Sequence, residues 1–306
     1  MKIETAKVSF KAKLIIKKMR NESFKYKENQ VIKHLLHYKY VPFDINGVKI
    51  DSEFDLEIIE LKKAKGYLLK PKAGLHEKVI YQIHGGAYVI PLNESNFKGA
   101  YLYSKYTNNS DVFLIDYTVD EKFPRAIEDV CDGYDYLLTK YKNDNISVAG
   151  HSAGGGLAMA LAFHIREKEI AKPRCLLLAS PWLDLTCSGK SYMEKRIVDT
   201  MFGSLYTQKE INLPNLYADK EYEKNEYASP IFGKFNNLPP ILVNTGSDEM
   251  VLSDSLSLEE KANAEGSFVK LYVHKGMWHD FYTKTDAFKE AKEVWKNIGL
   301  FIENPS

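Results

Sequence analysis

The stretch Ile146-Ser147-Val148-Ala149-Gly150-His151-Ser152-Ala153-Gly154-Gly155-Gly156-Leu157-Ala158-Met159-Ala160-Leu161-Ala162 decides how the chain is read. Its first four residues form a short apolar run, the pattern of a buried strand. Leu157 onward is built from strong helix formers. Between them lies Gly-x-Ser-x-Gly, so the motif sits at a strand–turn–helix junction. Gly150 and Gly154 have no side chain, which lets the backbone bend sharply and brings strand and helix together with Ser152 at the crest. That makes Ser152 a candidate nucleophile. A Gly-rich turn holding an ordinary serine is the competing reading, and the surrounding chain must separate the two.

Working outward, strands and helices alternate. Phe54 to Leu61 and Lys65 to Pro71 suggest an antiparallel sheet edge. Lys78 to Ile83 is the next strand, followed by a helix from Asn96, a strand from Val112 to Asp116, a helix from Pro124 and the strand ending at Ala149. Beyond the helix that starts near Gly155, strands are expected at Cys175–Ala179, Ile241–Thr245 and Val269–Val273. Helices are expected at Ser253–Glu265 and Ala287–Phe301. This rhythm predicts an α/β domain with an eight-stranded, mostly parallel sheet covered on both faces.

Two segments break the pattern. Residues 1–50 carry two lysine-rich amphipathic helices, with Val8, Leu14, Ile15, Ile16 and Met19 on one apolar stripe and Val31, Ile32, Leu35 and Leu36 on another. Residues 185–227 lack a strand signal and are rich in Tyr, Lys and Glu; an insertion of that length is usually a lid or binding segment. The expected division is therefore a helical cap from 1–50 and 185–227 over a core of 51–184 and 228–306. The insertion's tyrosines (Tyr192, Tyr206, Tyr217, Tyr222, Tyr227) fit either a mixed polar–aromatic cleft lining or ordinary packing with wet hydroxyls, of which packing is the preferred reading.

Bulk properties narrow the function classes. Forty-two Lys and Arg against 41 Asp and Glu leave a net charge of +1, so no global basic field points to nucleic acid. Three cysteines without CxxC spacing suggest neither a disulfide framework nor a zinc site. His34 and His37 share a helix face but lack a third ligand nearby. Lysines interrupt the start before a signal-like apolar stretch, and no apolar run approaches the roughly 18 residues of a membrane span. A cytoplasmic protein without membrane span, metal or cofactor is the expectation.

A serine hydroxyl needs a base, an orienting acid and oxyanion donors. His279, in Gly276-Met277-Trp278-His279-Asp280-Phe281, follows the last strand and is the candidate base. Asp248, in Asn244-Thr245-Gly246-Ser247-Asp248-Glu249, follows the preceding strand and is the candidate acid; Glu249 and Asp254 compete with it. Both positions lie past the carboxyl ends of strands, where open α/β sheets place their sites. His84-Gly85-Gly86 supplies unobstructed backbone N–H groups past an earlier strand, and the N–H of Ala153 completes the set. His151 adjoins Ser152, but neighbours on a tight turn point apart. His164 and His274 read as structural.

These pieces, with Asp116-Tyr117 and Ser180-Pro181-Trp182-Leu183-Asp184-Leu185, resemble the hormone-sensitive-lipase-like branch of the α/β hydrolases, the α/β-hydrolase fold-3 family. The resemblance spans most of residues 78–282. It implies a Ser152–His279–Asp248 triad, an oxyanion hole from Gly85, Gly86 and Ala153, a cap from the N-terminus and the insertion, and carboxylesterase activity on small-molecule esters. Amide or formamide hydrolysis by the same residues, and ligand reception without turnover, are the competing expectations. The residues do not set the oligomeric state; a homodimer paired through an edge strand, the family's habit, is open by analogy alone. The chain departs from the family at Ala87, where a third glycine is usual, at His151, where many members have aspartate, and after Asp116-Tyr117.

Overall fold

The structure is a computed structural model and describes residues 1–5, 7–23, 25, 29–203 and 213–305. In chain order the elements are β1 (Lys2–Glu4), α1 (Phe10–Ser23), α2 (Gln30–Leu36), β2 (Phe54–Glu60), β3 (Lys65–Pro71), β4 (Val79–Ile83), α3 (Glu94–Tyr106) and β5 (Asp111–Asp116). They continue with α4 (Arg125–Leu138), β6 (Ile146–His151), α5 (Ala153–Glu167), β7 (Cys175–Ala179), α6 (Ser191–Glu194), β8 (Ile241–Gly246), α7 (Leu252–Ala264), β9 (Val269–His274) and α8 (Lys289–Glu303). The strands form one open sheet in the order β1-β9-β8-β7-β6-β4-β5-β3-β2. β2 and β3 run antiparallel to their neighbours, and every other pairing is parallel. This is the α/β-hydrolase fold.

The sheet has nine strands rather than the eight expected. The extra one is Lys2–Glu4, which pairs parallel with β9 through Ile3 opposite Tyr272. Three residues with one apolar side chain carry no periodicity that a sequence reading can find; the edge of β9 supplies the partner. Along the central strands, side chains alternate between two apolar layers. Tyr81, Ile83, Leu176 and Leu178 face the layer completed by α4, α5 and α7, whereas Ile80, Leu177 and Ala179 face the layer completed by α1, α3 and α8. Both faces being covered explains why β4, β7 and β8 are buried at every residue.

The N-terminal fifty residues, grouped together as cap in the sequence reading, divide in space. β1 extends the core sheet. α1 lies on the core: Ser9 Oγ donates to Glu290 at 2.7 Å, Lys11 Nζ to the Ala287 carbonyl at 2.7 Å, and Arg20 meets Asp248 at 3.8 Å. α2 instead docks on the insertion. Its N-cap, Asn29, accepts from the Ile32 N–H at 3.0 Å while its amide donates to the carbonyls of Met201, at 3.0 Å, and Gly203, at 2.6 Å. Among the described residues, no helix is long and apolar enough to cross a membrane.

The close approach of α5 to the sheet needs Gly154. A Cβ there would meet the carbonyl oxygens of Ile83 and His84, both backbone atoms of the β4 end. Gly154→Ala is expected to destabilise the fold by about 1–3 kcal/mol, as overpacking against rigid backbone does. Thermal unfolding against wild type checks this; an unchanged melting temperature would refute it.

Candidate active site

Ser152 stands between β6 and α5 with φ 54° and ψ −122°, a conformation few non-glycine residues adopt. The turn is held from both sides: the Ser152 N–H donates to the Ala179 carbonyl at 3.0 Å, and the Ser152 carbonyl accepts from Gly155 and Trp182. The side chain is thereby fixed at the crest, at the floor of a cavity of about 280 Å³. Ser152, His279, Gly86 and Ala87 line it together. Apolar walls come from Val31 and Leu35 of α2 and from Met201, Phe202 and Leu213 of the insertion.

His279 is buried in the turn after β9, and Phe202 packs edge-on against its ring at 4.9 Å. Its Nδ1 lies 2.8 Å from Glu249 Oε2. Glu249 is wholly buried and its other oxygen is saturated: Ser180 Oγ donates at 2.9 Å, Thr245 Oγ1 at 2.6 Å, and the Gly246 N–H also donates. A carboxylate held this way cannot rotate off the imidazole.

Asp248, the acid expected from sequence, does not meet His279. Its backbone N–H donates to the Met277 carbonyl at 3.1 Å, which turns its side chain outward. There it accepts from Ser247 Oγ at 2.8 Å and faces Arg20 of α1 at 3.8 Å. Asp254, the other competitor, is committed to the Leu183 and Asp184 N–H groups at 2.7 and 3.0 Å. The histidine-facing acid is therefore Glu249. Two acids adjacent in sequence carry no signal of which points inward.

Of the three N–H groups expected to hold the oxyanion, one is engaged within the protein. The Gly85 N–H donates to His151 Nε2 at 3.0 Å and is not available. Among the described residues no protein acceptor takes the N–H of Gly86, Ala87 or Ala153. Gly86 (φ +123°) and Ala87 (φ 55°) both have positive φ, and a Cβ at Gly86 would press on the Ile90 carbonyl. His84 is structural: its ring stacks on Tyr117 at 4.2 Å, the Tyr117 hydroxyl donates to its carbonyl at 3.0 Å, and burial pushes it down to about 4. Gly150 closes against the Gly154 carbonyl, where no Cβ fits.

Further carboxylates act on His279. Asp280 Oδ2 lies 3.7 Å from its Nε2, and Asp199, in the insertion, is wholly buried. Asp199 accepts from Met201, Phe202 and, at 2.7 Å, from Met250, the residue after Glu249. It thus ties the insertion to the acid loop. Burial alone opposes charge on His279, but Asp280, Glu249 and Asp199 together outweigh it and push the imidazole up to about 9. His151 is held neutral, chiefly by burial and then by the Lys284 charge.

Of the insertion's tyrosines, Tyr192 and Tyr217 are buried packing residues, Tyr217 stacked on Tyr88 at 4.1 Å. Tyr227 bonds Glu167 and Tyr222 is exposed, and neither lines the cavity. Tyr206 lies outside the described residues.

Comparison with known proteins gives a consistent picture. A family described as α/β hydrolase fold matches residues 80–283. An esterase of Acinetobacter venetianus is 31% identical over 247 residues, covering 79% of this chain and 80% of its own. The esterase LipU of Mycobacterium tuberculosis is 30% identical over 255 residues, covering 79% and 82% respectively. Among solved structures, EstE5 soaked by p-nitrophenyl butyrate superposes with a TM-score of 0.82 at 25% identity, over 97% of this chain and 99% of that one. An esterase/lipase from an uncultured bacterium gives a TM-score of 0.79 at 26% identity, over 97% and 99%. The elbow, the histidine after the last strand and these likenesses agree, and the chain belongs to the α/β-hydrolase fold-3 family, the hormone-sensitive-lipase-like carboxylic ester hydrolases.

Proposed function

We propose that the protein is a serine carboxylesterase acting on small esters through an acyl-enzyme. The observation that carries the reading is His279, held from behind by the buried Glu249, lining one cavity with an elbow serine. Ser152 attacks the ester carbonyl while His279 Nε2, which has no hydrogen-bond partner among the described residues, takes its proton. Glu249 holds Nδ1 in the donor tautomer and offsets the imidazolium charge. Gly86, Ala87 and Ala153 present N–H groups to the oxyanion. His279 then protonates the leaving alcohol, and water releases the acid by the same steps in reverse roles.

The cavity's modest volume supports short to medium acyl groups. Hydrolysis of p-nitrophenyl acetate, butyrate and octanoate is expected to peak at butyrate or below in kcat/KM. A maximum at octanoate would contradict the size reading, and an N-formyl aryl amine cleaved faster than every ester would move the activity to amides.

The base must be neutral to act, so kcat/KM is expected to rise with pH through an acid limb near the His279 value of about 9. Asp280 raises that value, so Asp280→Asn should move the limb to lower pH. A limb that stays in place in the variant would remove Asp280 from this role.

A further inference from the structure

Lys284, in the turn after His279, lines the catalytic cavity. Among the described residues its ammonium has neither a hydrogen bond nor an ion pair within 4.0 Å. The residue is exposed, yet the protein around it is enough to lower its pKa by burial, against the raising effect of Asp280. Lys98 of α3, equally without a partner, adds a second positive charge within electrostatic reach. Among the described residues, Asp280 is the one carboxylate whose charge acts on Lys284, and it forms no ion pair with the ammonium. Asp280 turns its carboxylate to His279 at 3.7 Å, and position 151, where a carboxylate would lie within the field of Lys284, holds an imidazole kept neutral. A partly desolvated cation beside apolar walls gains most from an anion brought in with the substrate.

We propose that Lys284 is a specificity-determining residue and that the ester taken by this site carries a carboxylate on the part lying toward α3. The inference rests on the ester-hydrolase reading for its chemistry and on the unpaired lysine for its selectivity.

The test compares kcat/KM on matched pairs in wild type, Lys284→Met and Lys284→Arg. Mono-4-nitrophenyl succinate against 4-nitrophenyl butyrate places the anion on the acyl side; 4-acetoxybenzoate against phenyl acetate places it on the alcohol side. In one pair the anionic member is expected to win by about tenfold, more at low salt. That ratio should collapse in Lys284→Met and return in Lys284→Arg. Neutral esters preferred in both pairs, or a ratio unmoved by Lys284→Met, would overturn the proposal. If wild type cleaves no ester, the ester-hydrolase reading fails instead, and calorimetry on Ser152→Ala still decides the anion site. Binding of monomethyl succinate or benzoate weakened about tenfold by adding Lys284→Met supports it, and equal or absent binding refutes it.

Discussion

Glu249→Gln is expected to lower kcat by about 10³–10⁴-fold on p-nitrophenyl butyrate, whereas Asp248→Asn should change it less than about threefold. The contrast follows from geometry. Glu249 Oε2 is 2.8 Å from His279 Nδ1, and a glutamine amide there stabilises the imidazolium poorly and permits the wrong tautomer. Its Oε1 is already ringed by Ser180, Thr245 and Gly246 donors, so the amide NH₂ cannot escape by flipping into that position. Asp248 is partly exposed, and its 3.8 Å contact with Arg20 is a surface ion pair of the kind worth at most about 1 kcal/mol. Steady-state kinetics on both variants, with circular dichroism to establish folding, decides the assignment. A severe loss in Asp248→Asn with an active Glu249→Gln would return the acid role to Asp248.

Ser152→Ala should abolish turnover, by about 10⁴–10⁶-fold, because no other hydroxyl of the described cavity lining can form the acyl-enzyme. Removing Oγ takes away the bond-forming atom itself, while the remaining oxyanion donors and binding contacts leave only weak residual catalysis. The substitution keeps Cβ, and with it the packing of the elbow, so the variant should fold as wild type does. Mass spectrometry after mixing with p-nitrophenyl butyrate offers a direct readout: a transient acyl adduct on wild type and none on Ser152→Ala. An adduct on the variant, or undiminished hydrolysis, would show that the nucleophile lies elsewhere.

Much of this was legible in the residues alone. The alternation of apolar strands with helices specifies a parallel sheet, since each strand buried on both faces must be an unbroken apolar run. The elbow is legible because Gly150 and Gly154 mark the places where a Cβ would collide. His279 is legible from its place after the last strand. All of these depend on local chemistry or on chain order. Which acid faces the histidine, which N–H groups stay free and where the N-terminus goes depend on contacts made from a distance. Met277 pins the Asp248 backbone and turns that side chain out, Ser180 draws Glu249 in, and His151 takes the Gly85 N–H. β1 exists only because β9 offers an edge. Sequence determined the fold and the place of His279 after the last strand, whereas the tertiary structure decided which acid meets it, which N–H groups stay free and the ninth strand. The direction of a side chain in a turn, and the pairing of a three-residue strand, are set by groups remote in the chain.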